Sequence, residues 1–292
     1  MRVLVTGVRG KVGGAAAAAL ARAGHEVVGT DRGVPVYESP LPGEVRYVQA
    51  DLTDAGDAFA VVHDMDAVVH AAAIPQPSMN VAHTVFANNM SSAFNVVEAC
   101  ARNGVARLVN LSSDSVPGFT WSPVPLVPRY CPIDEAHPNL PLDPYAQAKW
   151  FTEQLCDALV VRSAVTAVSV RAAWVLGRGN YERSVGPFLR DPALTTPVFW
   201  SYVDLDDLAD LLVLAVEAGT PGHEVVLAAQ PDNFGNRDLH AAVAEHFPSV
   251  ELRPVDRPDA SGYSIVRARA LFGWDPRRSW RDHLDEAGMP RA

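Results

Sequence analysis

The stretch RVLVTGVRGKVGGAAAAALARAGHEVVGTD, residues 2–31, decides the fold. Its first five residues form a short β-rich run that stops at Gly7. The alanine-rich stretch 15–23 is a strong helix former, and residues 25–30 return to a strand pattern. The segment therefore predicts a strand, a glycine-rich turn, a helix and a second strand that ends at Asp31.

Gly7, Gly10 and Gly13 fall on the predicted turn from strand to helix. Glycine there permits positive φ and lets backbone N–H groups approach a pyrophosphate, which then lies at the positive end of the helix. Such a spacing also arises by chance. Asp31 supplies the missing context, because an acidic residue about 20 positions after the glycines can hydrogen-bond an adenosine ribose. The alternative for Asp31 is an ordinary turn residue.

Asp31 favours NAD over NADP as the dinucleotide. The 2′-phosphate of NADP would meet its carboxylate at close range, which is an unfavourable contact between like charges. Arg9 and Arg32 are nearby cations that could offset this repulsion, so the sequence does not exclude NADP.

Strand and helix patterns alternate regularly up to about residue 171. A third strand at 45–49 leads to Asp51 and Leu52, and a fourth at 67–70 opens into Ala71, Ala72 and Ala73, whose small side chains let a cofactor lie against the strand ends. This alternation predicts an α/β, Rossmann-type doubly wound parallel sheet. We expect residues 1–171 to form the dinucleotide-binding domain. Residues 172–292 are expected to form a small substrate-binding lobe interleaved with the last sheet strands.

Three further segments flank the predicted site. Residues 81–102 are predicted to be a long helix with one apolar stripe: Phe86, Met90, Phe94, Val97 and Ala101. A strand at 106–111 then ends at Ser112-Ser113-Asp114. Residues 117–144 hold eight of the 23 prolines and indicate an irregular loop beside the site. A lid or substrate wall and a rigid structural excursion are equally compatible with that composition.

Tyr145 and Lys149 are four residues apart on a predicted helix over residues 145–159, so they lie on one face. A phenol titrates near 10 in water, and acid or base work near pH 7 requires a shift of about three units, or roughly 4 kcal/mol. The Lys149 ammonium and an oxidised nicotinamide are groups that could stabilise the phenolate. Ser113 could hold the reacting oxygen beside the tyrosine. An arbitrary pair at this spacing is an exposed Tyr–Lys pair, but the glycine turn and the serines argue against that.

These motifs together resemble an extended short-chain dehydrogenase/reductase of the NAD-dependent epimerase/dehydratase family. The resemblance covers nearly the whole chain. The matching positions are residues 6–13, Asp31, Asp51-Leu52, residues 70–73, Asn89, Asn95, Ser112-Ser113, Asp134-Glu135, residues 144–149 and residues 202–204.

By this resemblance Ser113 orients the substrate oxygen, Tyr145 is the acid/base, and Lys149 binds the nicotinamide ribose and lowers the tyrosine pKa. The expected cofactor-binding residues are Gly7, Arg9, Gly10, Lys11, Val12, Gly13, Asp31, Arg32, Asp51, Leu52, Ala71, Ala72, Ala73, Asn89, Tyr145 and Lys149. The resemblance also implies a homodimer that pairs through the helices at 81–102 and 145–159.

Family members are nucleotide-sugar epimerases and dehydratases, or simpler dehydrogenases and reductases. Asp114 follows Ser113 where related dehydratases carry an acid, but their next glutamate is Ser115 here. Trp174 stands where epimerases usually have an asparagine that contacts the diphosphate sugar. An indole has one donor and no acceptor, so it suits a ring or hydrocarbon wall better than a phosphate. The segment between Gly177 and Tyr202 is also short for a nucleotide clasp.

That same segment has patchy similarity to the uronate dehydrogenase branch, in which an arginine receives the sugar carboxylate. Arg183 is the first candidate for that role, ahead of Arg178, and a solvated surface arginine is the alternative. The expected substrate-binding residues are therefore Ser113, Asp114, Trp174 and Arg183.

Composition limits the other classes of function. The formal net charge of −10 and the lack of a Lys/Arg cluster argue against nucleic-acid binding. The three cysteines have no CxxC spacing, and the aspartates at 204–210 alternate with leucines as in an amphipathic helix, so no metal site is expected. No segment is expected to span a membrane or to target the chain, and we expect a cytoplasmic protein.

The sequence thus predicts an NAD(P)-dependent oxidoreductase. It would transfer hydride between nicotinamide and a secondary alcohol or ketone of a sugar or sugar-like ring. The alternative is a nucleotide-sugar epimerase or dehydratase in which the hydride returns to the same molecule. A third hypothesis, a regulatory protein that binds cofactor without turnover, is disfavoured by the intact Ser113, Tyr145 and Lys149.

Overall fold

The structure is a computed structural model that describes residues 1–33, 45–191 and 193–291. Its strands are β1 (Arg2–Thr6), β2 (Glu26–Asp31), β3 (Arg46–Gln49), β4 (Ala67–His70), β5 (Arg107–Ser113), β6 (Tyr130–Cys131), β7 (Thr166–Ala172), β8 (Trp174–Leu176), β9 (Tyr202–Asp204), β10 (His223–Ala228) and β11 (Glu251–Leu252). Its helices are α1 (Lys11–Arg22), α2 (Ala55–Val62), α3 (Ala82–Asn103), α4 (Pro144–Arg162), α5 (Tyr181–Arg190), α6 (Leu205–Glu217), α7 (Leu239–His246) and α8 (Val266–Phe272).

Seven parallel strands form the central sheet in the order β10-β7-β5-β4-β1-β2-β3. The chain starts at β1, moves outward through β2 to β3, and then returns to the other side of β1 at β4. The order therefore reverses between β1 and β4, and ligands bind at the carboxyl ends of the strands beside such a switch point. The predicted doubly wound α/β sheet is confirmed.

Alternate side chains of β1 anchor two apolar layers. Val3 and Val5 pack with α1 and α6 on one face of the sheet, whereas Leu4 packs with α2, α3 and α4 on the other. These β1 side chains are fully buried. A strand buried on both faces holds its carboxyl end firmly, and that end carries the glycine turn.

The C-terminal part of the chain contributes both to the sheet and to a lobe beside it. β10 pairs with β7 at the sheet edge, while β8 and β9 pair with each other outside it. A separate aromatic core holds the lobe together, including Tyr181, Trp200, Tyr202, Phe234 and Trp280.

The proline-rich segment is tied to that lobe. Its strand β6 pairs with β11, and Asp134 forms an ion pair with Arg253 at 3.1 Å. Glu135 accepts a hydrogen bond from the Leu227 backbone at 2.7 Å. The segment therefore has fixed attachments to the C-terminal part of the chain.

The predicted apolar stripe of the long helix is wrong in part. α3 buries Val97, but Phe94 is 50% exposed and Phe86 and Met90 are only half-buried. Val85, together with Ala93 and Val96, supplies the buried face instead. The helix carries two apolar faces, and helical spacing alone does not tell which of them packs on the sheet.

Candidate functional site

The glycine turn is closely packed between β1 and α1. Gly7 has φ of +68°, and a Cβ there would lie 2.7 Å from the Ala72 Cα. A Cβ on Gly13 would overlap the Gly7 carbonyl oxygen. Only glycine allows this approach of backbone to backbone, so the turn forms a cradle of the kind that a pyrophosphate occupies.

Thr6 supports this turn, a role that was not predicted from the sequence. Its Oγ1 accepts hydrogen bonds from the Ala71 and Ala72 backbone N–H groups, both at 3.1 Å, and lies 2.9 Å from His70 Nδ1. Burial, and secondarily the Lys149 charge, lowers the pKa of His70 to about 3. His70 is thus a neutral, packed histidine that helps to join β1 to the end of β4.

Asp31 lies at the end of β2 with its carboxylate beside the turn. Its Oδ2 accepts a hydrogen bond from the Arg9 backbone at 3.1 Å. Asp31 and Arg32 both line the cavity described next, whereas Arg9 does not. The carboxylate is therefore placed where a ribose hydroxyl at the second strand could meet it.

A cavity of about 860 Å³ runs along the carboxyl ends of the strands. What we call the cofactor half is lined by Gly7, Gly10, Lys11, Val12, Gly13, Asp31, Arg32, Ala50, Asp51, Leu52, Thr53, Ala71, Ala72 and Ala73. What we call the substrate half is lined by Pro75, Gln76, Asn88, Thr120, Trp121, Trp174, Val175, Phe188, Thr196, Pro197 and Val198. Between the halves lie Ser113, Asp114, Tyr145 and Lys149.

Asn89, predicted to bind cofactor, is buried just outside the cavity wall. Its side chain accepts a hydrogen bond from the Ile74 N–H at 2.8 Å and donates one to the Ile74 carbonyl at 3.1 Å. Asn89 therefore holds the chain that follows Ala71–Ala73 in place.

Tyr145 and Lys149 are presented by the first turns of α4. Asp143 caps this helix, accepting hydrogen bonds from the Tyr145 and Ala146 N–H groups at 2.9 Å, and Pro144 begins it. The Lys149 Nζ donates a hydrogen bond to the Leu111 carbonyl at 2.6 Å and lies 5.7 Å from the centre of the Tyr145 ring. The helix thus brings both side chains to the end of β5, where Ser113 lies.

Burial is the largest influence on the pKa of Tyr145. Burial raises it above its ordinary value, while a hydrogen bond with Ser113 acts to lower it. Burial lowers the pKa of Lys149 to about 8, and the Glu153 charge opposes that change. Desolvation of the phenol outweighs that hydrogen bond, and the lowering of the Tyr145 pKa by Lys149 and a bound nicotinamide stays a prediction.

A buried ion pair that was not predicted from the sequence lies next to Lys149 along α4. Arg171 on β7 donates to both carboxylate oxygens of Glu153 on α4, at 2.9 and 2.7 Å, and each side chain is only 3% exposed. Ser112 donates to the same carboxylate at 2.5 Å. Glu153 lies one helical turn beyond Lys149, and that spacing was the available signal.

Asp114 is buried at the junction of the two halves. Its Oδ1 accepts a hydrogen bond from Ser113 Oγ at 3.2 Å, and its Oδ2 has no partner among the described residues. Burial raises the pKa of Asp114 to about 7, against the opposing effect of the hydrogen bond from Ser113. This carboxyl group is partly protonated near neutral pH.

The two arginines considered for a substrate carboxylate lie elsewhere. Arg183 on α5 and Arg178 before it are exposed, and neither lines the cavity. Trp174 does line it, with its ring edge against Phe234 at 5.7 Å between centroids. The structure therefore brings together Ser113, Asp114 and Trp174, but not Arg183.

The acidic residues at 204–210 have structural partners. Asp204 caps α6, and Asp207 accepts hydrogen bonds from the Arg277 and Arg278 backbones at 3.0 and 2.8 Å. Within residues 1–33, 45–191 and 193–291, no group of side chains has the composition of a metal site.

All three cysteines are free and buried. No helix in the described part of the chain is long and apolar enough to cross a membrane.

Comparisons with known proteins agree with this architecture. The family profile described as "NAD dependent epimerase/dehydratase family" matches residues 3–228. A UDP-glucose 4-epimerase from Azospirillum brasilense is 32% identical over 97% of this chain and 89% of its own length. A dTDP-4-dehydrorhamnose reductase from Mycobacterium tuberculosis is 30% identical over 98% and 92% of the two chains. A mutated uronate dehydrogenase has a similar fold, with a TM-score of 0.68 at 23% identity over 96% and 84%.

Proposed function

This chain belongs to the NAD-dependent epimerase/dehydratase family, and within that family we propose that it is a net oxidoreductase. It is an enzyme of the extended short-chain dehydrogenase/reductase type, and its cofactor is NAD. The proposed reaction moves a hydride between nicotinamide and a secondary alcohol or ketone on a sugar or sugar-like ring. The observation that carries the proposal is the placement of Ser113, Tyr145 and Lys149 between the two halves of one cavity.

The residues present fit the dinucleotide, because the glycine cradle would be filled by any Cβ and Asp31 lies at the next strand end. We propose that the cofactor half, together with Tyr145 and Lys149, holds it. When bound, NAD supplies a hydride acceptor in one direction and a hydride donor in the other.

The protein supplies the proton chemistry. We propose that the Ser113 hydroxyl holds the substrate oxygen, and that the Tyr145 hydroxyl exchanges a proton with that oxygen. The raised pKa of Tyr145 keeps the phenol protonated, which suits it as an acid toward a ketone. In the oxidative direction positive charge near the phenol must lower that pKa, and Lys149 is the side chain placed to contribute.

We prefer net oxidoreduction to an internal hydride cycle because of the side chains that line the substrate half. Trp174 offers no acceptor and a single donor, so it is poorly suited to hold a diphosphate sugar. The second candidate is a nucleotide-sugar epimerase or dehydratase, and it is favoured by the identity to UDP-glucose 4-epimerase. Asp114, as an acid beside Ser113, also fits elimination chemistry.

The deciding experiment follows absorbance at 340 nm as the purified protein meets uronic acids, aldoses, nucleotide sugars and cyclic ketones with NAD or NADH. A sustained change, stoichiometric with product, is expected. Product that forms by mass spectrometry without net absorbance change would contradict the proposal and support the second candidate.

We further propose a homodimer in the cytoplasm. Phe94 and Phe151, on α3 and α4, are exposed large apolar side chains, and Phe86 contacts Phe151 edge-on at 6.1 Å between centroids. Exposed aromatic side chains on two adjacent helices are typical of a surface that another chain covers. The three free cysteines are consistent with a reducing compartment.

A further inference from the structure

Two indole rings face the substrate half of the cavity. Trp121 is 39% exposed and Trp174 is 37% exposed, although both belong to a residue type that is usually well buried. Trp174 is fixed by its edge contact with Phe234, and Phe188, which also lines the cavity, makes a further edge contact with that ring at 5.0 Å. Rigid aromatic faces of this kind bind the apolar face of a ring at little entropic cost.

Two cations of the cavity, Lys11 and Arg32, lie away from these rings, because they follow β1 and β2, which are three and four sheet positions from the β7 strand that precedes Trp174. Lys11 and Arg32 belong to the cofactor half, and the Lys149 ammonium is bonded to the Leu111 carbonyl. Among the described residues, the wall of the substrate half contains no arginine or lysine. Residues 34–44, 192 and 292 do not include either type in the sequence. The polar groups of this wall are neutral: Gln76, Asn88, Thr120 and Thr196.

Asp114 adds a negative group at the inner end of the same half. Its buried Oδ2 has no partner among the described residues, and burial already disfavours its charged form. A phosphate or carboxylate bound here would face like charge from the ionised form of this carboxyl group, and the Lys149 ammonium at the same junction is already bonded to the Leu111 carbonyl. A neutral hydroxyl or carbonyl carries no such cost.

We infer that the substrate is an uncharged ring compound, bearing neither phosphate nor carboxylate, whose apolar face lies on Trp174 and whose reacting oxygen meets Ser113 and Tyr145. This inference rests on the proposed function, since it names the substrate class of the same site. The inferred substrate class differs from the nucleotide sugar that appears in the name of a relative.

The test compares three probes that share one ring and differ in charge: methyl galactoside, galacturonate and UDP-galactose. Each is titrated calorimetrically into the NAD-loaded protein, so that a nucleotide cannot enter the cofactor half. We expect methyl galactoside to bind at least tenfold more tightly than either anion. An anion that binds as tightly as the neutral probe overturns the inference.

Absorbance at 340 nm with the same probes separates this inference from the proposed function. Tighter binding of the neutral probe without any hydride transfer would contradict the proposed function and leave the inference standing. Stoichiometric transfer to galacturonate or UDP-galactose, in preference to the neutral ring, would support the function and overturn the inference.

A charge introduced into the wall provides the converse test. Trp174→Arg should raise the affinity for galacturonate at least tenfold, because a guanidinium binds a carboxylate with two parallel hydrogen bonds. The matched variant Trp174→Phe keeps an aromatic wall and should give no such gain. Phe188→Arg repeats the test from α5 in case the first variant unfolds. If both arginine variants fold and neither gains affinity, the missing charge does not exclude anions and the inference is wrong.

Discussion

Replacing Arg171 with methionine removes the positive half of its buried ion pair with Glu153, which lies one helical turn beyond Lys149 on α4. Among the described side chains, the Ser112 hydroxyl would then be the one hydrogen-bond partner left to the Glu153 carboxylate, in a site where 3% of each side chain is exposed. Methionine keeps an unbranched apolar stem but has no charge, so the change leaves a buried carboxylate without its counter-ion. Glu153 must then be protonated or draw in water, and either adjustment costs free energy.

Breaking a buried ion pair from one side destabilises a protein by about 3–5 kcal/mol. At roughly 2 °C per kcal/mol for a chain of this size, the unfolding temperature of Arg171→Met should fall by about 6–10 °C. Urea unfolding at neutral pH measures the free energy, and calorimetry measures the temperature. Because Glu153 follows Lys149 on α4, turnover should fall as well.

Two further variants make the result decisive. Arg162→Met removes an arginine that pairs with Glu98 at the surface, where the arginine side chain is 38% exposed, and should cost less than about 1 kcal/mol. The double variant Glu153→Leu/Arg171→Met removes both buried charges and should recover most of the lost stability. If Arg171→Met costs no more than Arg162→Met, or if the double variant is no more stable than Arg171→Met, the reasoning is refuted.

Four other outcomes are expected. Tyr145→Phe should lower turnover at least a hundredfold with NAD binding retained; a loss below tenfold would remove Tyr145 from the mechanism. Gly13→Ala, whose new methyl group would overlap the Gly7 carbonyl, should weaken NADH binding at least thirtyfold in a fluorescence titration, and unchanged binding would contradict the cradle. The pKa of Asp114 is about 7 when folded against 3.8 as its ordinary value, so the native state holds a proton that the unfolded state loses, and stability falls as pH rises through that interval. The free energy of unfolding of Asp114→Asn, measured in urea, should therefore rise relative to that of the wild type between pH 4 and pH 8, by at most about 4 kcal/mol. A difference between the two proteins that does not change with pH would refute this. Phe94→Glu should halve the mass measured by light scattering at an unchanged unfolding temperature, whereas a dimer that persists would place the interface elsewhere.

The parts of the fold that follow from local sequence were predictable. The glycine turn lies within one strand–helix unit, so Gly7 and Gly13 are recognisable from the residues around them. Tyr145 and Lys149 share a helix face by spacing alone. Ser113 could be predicted as their neighbour from the position of a strand end alone.

The unpredicted features depend on contacts between distant parts of the chain. Thr6 meets the backbone after β4, and Glu153 meets Arg171 from a different strand. Whether an arginine faces a cavity or the solvent depends on how a loop closes, and the sequence around Arg183 does not contain that information. Burial is the largest cause of the raised pKa of Tyr145, and burial is a property of the assembled structure.

The two halves of the cavity are built from separate lengths of chain. The described residues that line the cofactor half fall between Gly7 and Ala73 along the chain. Most of those that line the substrate half are Thr120, Trp121 and described residues between Trp174 and Val198, backed by the aromatic core of the lobe. Mutation or recombination in those later segments can exchange one substrate for another while the gene keeps its cofactor site intact. Divergence of activity within this lineage is thus expected to concentrate in the proline-rich segment and around α5, with the opening strand and its turn inherited almost unaltered.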